Sequence, residues 1–146
     1  MLLFSYKYEN MEIDESIFNK MKSSAPIILR IGLSLVFLWF GSQQLLHTSM
    51  WVGLIPEWVL SLSQLSAATW VLFNGAFEIV FGFCLLAGYF TRITALLLAF
   101  HLLGIIFTVG YNDIGVRDFG LSMAAISIFL YGNDSWCLDR FLAKKS

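Results

Sequence analysis

Charge is what this sequence has least of. Only 13% of its 146 residues are Asp, Glu, Lys or Arg, against about 25% in an average soluble domain. With 58% hydrophobic residues and a mean hydropathy of +0.76, the deficit marks a membrane composition. A net charge of −1 leaves no cationic footprint for nucleic acid. Cysteine is nearly as scarce. Cys84 and Cys137 form no Cys-x-x-Cys pair, so there is no dithiol or zinc signal, and a disulfide scaffold is excluded by count. Histidine is limited to His47 and His101, without His-x3-His spacing and at different depths, so no haem can be clamped between them and no metal site is expected. The sequence also lacks a serine nucleophile elbow and a flavin motif.

Long apolar runs are what it has, and they predict an all-α fold: an antiparallel bundle of four transmembrane helices. A span needs about 20 mostly apolar residues. The runs fall at about residues 27–46, 70–88, 93–109 and 117–131. Residues 1–26 read as a polar cytoplasmic tail in which Lys7, Glu9, Glu12, Asp14, Glu15, Lys20 and Lys22 alternate in sign, and residues 27–146 as the membrane domain. Met11 and Met21 are alternative translation starts, and no signal peptide is expected. Pro26 suits the first helical position, and Arg30, in the first turn, can snorkel to the interface. Residues 47–69, where Trp51 and Trp58 flank Pro56-Glu57, read as an amphipathic segment lying along the outer interface. Gly32, Gly41, Gly75, Gly82, Gly88 and Gly104 permit close helix approach, between spans or in a homo-oligomer.

Basic residues set the expected orientation. Lys7, Lys20, Lys22, Arg30, Arg92, Arg140, Lys144 and Lys145 fall on one side of the spans and only Arg117 on the other. Both termini are therefore expected in the cytoplasm, with the protein in the cell inner (plasma) membrane.

The scarce polar residues inside the spans carry the functional signal. Glu78 sits in the middle of WVLFNGAFEIVFGFCLLAG, and a midplane charge costs at least a few kcal/mol. Asn74 and Gly82 share its helical face. Glu78 and His101 lie about equally far from Phe90 in the short link between spans two and three, roughly 16–18 Å at about 1.5 Å per residue. They are expected at one level on neighbouring helices, either as a proton-handling pair or as a structural contact that fixes register. A second group, Gln44 and His47 with Arg117 and Asp118, collects toward the outer side. Asp118 reads as a face-inward carboxylate or as a helix N-terminal cap. Arg117, its neighbour in sequence, is expected to point elsewhere, to headgroups or Glu57. Gln44, Asn74, Asp118 and Arg117 are the candidate ligand-binding residues.

The run NGAFEIVFGFCLLAGYFTRITALLLA, with its mid-span Glu and its Thr-Arg opening the next span, resembles the DoxX family. RDFGLSMAAISIFLYGNDSWCLDRFL resembles the family's last span, ending at Gly132 and Cys137-Leu138-Asp139. LRIGLSLVFLWFGSQQLL resembles its first span, departing at Gln43-Gln44-Leu45, where a Lys is common. The resemblance covers about residues 28–142. It implies a four-helix membrane bundle and a loose functional field, since some relatives are small subunits of thiosulfate:quinone oxidoreductases. The expectation is a redox-linked membrane subunit holding a quinone or similar apolar ligand between its helices, with no intrinsic cofactor and electrons supplied by a protein partner in a redox complex or by the quinone itself. The alternative is a non-catalytic anchor or assembly factor for a partner complex.

Overall fold

The computed structural model describes residues 15–143. The expected tail through Asp14, with Lys7 and Met11, and the basic residues Lys144 and Lys145 lie outside the described residues. Six α-helices follow in order: α1 Glu15–Leu46, α2 Glu57–Ser63, α3 Ala67–Ala87, α4 Thr91–Val109, α5 Asp113–Tyr131 and α6 Leu138–Ala143. Two 3₁₀ turns, Thr48–Met50 and Val52–Leu54, link α1 to α2. Four stretches are long and apolar enough to cross a membrane: Phe18–Leu46, Ala67–Ala87, Thr91–Val109 and Asp113–Tyr131.

Helix ends follow local chemistry, and two of them correct the sequence reading. Pro26 lies inside α1, not at its start. A proline here removes one backbone hydrogen bond. The carbonyl it frees, that of Lys22, lies in an exposed turn open to solvent, so the helix continues through it. At the other end of the chain, α5 begins at Asp113, and Asn112 is its cap, accepting the Gly115 N–H at 3.0 Å. Asp118 is thus a second-turn residue facing the bundle, and its alternative reading as a cap does not hold.

Between α3 and α4 the chain turns through Gly88 (φ +68°) and Phe90 (φ +46°). Gly88 closes α3 with left-handed backbone, its N–H reaching the Leu85 carbonyl. A side chain at this glycine would also meet Cys137, whose Cα lies 2.5 Å from the site of a Cβ. The start of α4 is capped from a distance. The Asp139 carboxylate accepts the backbone N–H groups of Phe90 and Thr91 at 2.8 and 2.9 Å and the Thr91 hydroxyl at 3.1 Å.

Packing is most extensive between α1 and α3 and between α4 and α5. Two glycines let the first pair approach: a Cβ on Gly41 would stand 2.8 Å from the Gly75 carbonyl, and one on Gly75 would stand 2.9 Å from Gln44 Cβ. Gly82 fits against Leu38 and Phe37 in the same way. Gly32 and Gly104 do not: nothing lies within 4 Å of their missing side chains, so they serve no close approach between the spans of one chain. Leu33, Phe37, Leu85, Leu98, Ala125 and Ile128 form the shared core. Phe73, Phe83, Phe100, Phe107 and Phe119 stay on the outside, as rings facing acyl chains would.

Arg30 is the other correction. It does not reach for an interface but is 2% exposed. Its Nε donates to Asp134 Oδ2 at 2.6 Å, and Nη1 donates to the carbonyls of Leu85 and Leu86 at the end of α3. Carbonyls in the last turn of a helix have acceptor capacity to spare, and the turn Gly132-Asn133-Asp134 brings a carboxylate to the same spot. Burial alone would raise the Asp134 carboxyl. The Arg30 guanidinium and the Trp136 N–H outweigh it and hold the group below the usual 3.8. Beside it, burial pushes the Cys137 thiol up from its ordinary value, and the residue is fully buried against Gly88.

Candidate functional site

At the opposite end of the bundle from Arg30, the four long helices and the α1–α3 link border an open-sided cavity of about 640 Å³. That is within the range of sites for small molecules, roughly 300–1,000 Å³. Its wall is apolar and aromatic, and Gln44, Asn74, Glu78, His101, Arg117 and Asp118 all line it. Every candidate site residue read from the sequence therefore borders one space.

Glu78 is the centre of the polar floor. It is 4% exposed, on the α3 face that also buries Gly75 and Gly82. Gln44 Nε2, from the last turns of α1, donates to Glu78 Oε2 at 2.9 Å. Asn74 Nδ2, one turn back on α3, donates to Glu78 Oε1 at 3.1 Å and to Gln44 Oε1 at 2.6 Å. Two amides thus turn their nitrogens toward one carboxylate. His101 of α4 brings Nε2 to 3.6 Å from Glu78 Oε1. The spacing permits an ion pair when the ring is protonated but exceeds hydrogen-bond length, and Nε2 is a buried polar atom without a hydrogen-bond partner. Phe77, from the same turn of α3 as Glu78, stacks on the imidazole with centroids 4.5 Å apart, which fixes the ring plane.

Arg117 and Asp118 sit higher in the cavity and correct a sequence expectation. Adjacent helical residues diverge at Cα, and Arg117 was expected to reach headgroups or Glu57. Its long side chain instead curls back, so that Nε and Nη2 both lie 2.7 Å from Asp118 Oδ1. The guanidinium also lies over the Phe40 ring of α1, 4.2 Å from its centroid. Asp118 is 1% exposed, and an unpaired carboxylate there would be costly; the arginine offsets part of that cost.

The wall contains what the sequence reading missed. Trp51, Leu54, Trp58 and Leu62 from the α1–α3 link line the cavity, with Trp70 at the start of α3. Trp70 Nε1 donates to Ser63 Oγ at 2.9 Å and ties the end of α2 to α3. Trp51 meets Phe40 edge-to-face. The tryptophans were visible as interface residues, but a one-dimensional pattern carries no sign that they turn inward over a pocket.

The arrangement places hydrogen-bonding groups on one side of an otherwise apolar, aromatic-walled cavity. The DoxX family model matches residues 25–111, which hold Gln44, Asn74, Glu78 and His101. No curated protein and no solved structure matches the chain.

Proposed function

Since this chain belongs to the DoxX family of membrane proteins, we propose that it is a small redox-linked membrane subunit that takes a quinone or a similar apolar ligand into the cavity between its helices. The observation that carries this reading is the convergence of Gln44, Asn74, Glu78 and His101 on the floor of an otherwise apolar, aromatic-walled space. Quinone reduction to quinol takes up two electrons and two protons. Glu78 and His101 are assigned the handling of those protons; the electrons come from a protein partner. Gln44 and Asn74 hold the carboxylate in place, and Arg117 and Asp118 contact the ligand nearer the mouth.

The bundle is assigned an antiparallel course in the plasma membrane, with both termini in the cytoplasm. Contacts between α1 and α3 run from Arg30 with Leu85, through Gly41 with Gly75, to Gln44 with Asn74, and this register supports the antiparallel course of these two helices; the excess of basic residues on one side supports the orientation. The cavity then opens toward the outer half of the bilayer. The test is Glu78→Gln, which keeps shape and removes the ionisable group. Quinone-linked turnover in native membranes should fall by about a hundredfold or more, the usual worth of a general acid–base group. Wild-type turnover and quinone affinity in that variant would remove the assignment.

A further inference from the structure

The direction of the amide chain on the cavity floor bears on which oxidation state of a ligand fits best. Glu78 as a carboxylate offers only acceptor atoms, so both amides must present NH₂ to it. Gln44 does so through Nε2, which turns its Oε1 toward Asn74. Asn74 Nδ2 has two hydrogens, and both are engaged, one by Gln44 Oε1 and one by Glu78 Oε1. Flipping Asn74 would set its oxygen against two other oxygens. The orientation is therefore dictated by the carboxylate, and Asn74 Oδ1 is left as an acceptor with no protein partner on a residue that lines the cavity.

Donors also border the space: Gln44 Nε2 keeps one free hydrogen, and Arg117 has N–H groups beyond those given to Asp118. They do not discriminate, because a carbonyl oxygen and a hydroxyl oxygen both accept. Acceptors do discriminate. A hydroxyl can donate to Asn74 Oδ1, whereas a carbonyl placed there sets two lone pairs face to face. We infer that the cavity prefers the reduced, hydroxyl-bearing form of its ligand, a quinol or comparable phenol, over the oxidised carbonyl form. The inference rests on the ligand-binding reading above and adds a direction to it: the site holds the product of quinone reduction, or the substrate of quinol oxidation, more tightly than the oxidised species.

The test is equilibrium dialysis of the full chain in detergent, without oxygen, against decylubiquinol and decylubiquinone in parallel. Quinol should bind about tenfold more tightly, the equivalent of one added hydrogen bond. Asn74→Leu should bring the ratio toward one by weakening quinol binding. Equal affinities, or tighter quinone, in the unaltered protein overturn the inference and leave the ligand-binding reading standing. So does a folded Asn74→Leu protein that keeps the tenfold ratio. Failure of both compounds to bind overturns the ligand-binding reading and this inference with it.

Discussion

Arg30 and Asp134 make the strongest single-residue test of the fold. Each is buried, and removing one partner leaves the other as an uncompensated charge, with an expected loss of about 3–5 kcal/mol. Arg30→Ala should therefore lower the melting temperature in detergent sharply, and Arg30→Lys should recover only part, because a lysine cannot span Asp134 and the two α3 carbonyls with a planar fork. The Asp134 carboxyl lies below its unfolded value of 3.8, so its contribution is complete above about pH 5 and is lost progressively as the pH falls from there through the depressed folded value. Melting curves between pH 6 and pH 3 should show that decline, and Asp134→Asn should flatten it. Residue by residue, the sequence was legible where depth could be counted from a short turn. Glu78 and His101 met as their equal distances from Phe90 implied. Arg30 was misread because a first-turn arginine near an apolar run looks like an interface anchor. Its partner lies 104 residues away in a turn, and no spacing connects them.

Among the elements, α4 depends most on a distant part of the chain. Phe90 offers no side-chain acceptor for the first N–H groups of the helix. Asp139 supplies one, from the start of α6. Asp139→Ala should destabilise the protein by about 1 kcal/mol, as loss of an N-terminal cap does. Hydrogen exchange should locate the change at the Phe90 and Thr91 amides, while Asp139→Asn, which keeps an acceptor oxygen, should remain close to the parent. The four long helices were readable from apolar length alone, whereas their starts were not. At α1 a run of small and polar residues continues the helix before Pro26, and at α5 the Asn112 cap precedes the residues whose hydropathy marks a span. The Cys137-Leu138-Asp139 ending was noticed as a motif. Its physical purpose, a cap for another helix, became visible only when the turn at Gly88 was seen packed against it.

For the molecule as a whole, the sequence carried the four-span plan and the list of polar residues that share one space. It did not carry the cavity itself, because a volume depends on how far the link between α1 and α3 stands off from the bundle, and no periodicity encodes that distance. The orientation has a direct check. Reporter domains fused after residue 143 and inserted near Arg92 should both report the cytoplasm, and one inserted near Tyr111 the outer side; any other pattern would reverse the basic-residue argument. The remote cap on α4 also sets an order of events during synthesis. Asp139 follows Thr91 by 48 residues, so at about 5–20 residues per second the first turn of α4 waits roughly 2 to 10 s after Thr91 is made before its cap exists. Throughout that interval the Phe90 and Thr91 amides are without their carboxylate, and a chain that ends short of Asp139 keeps them so.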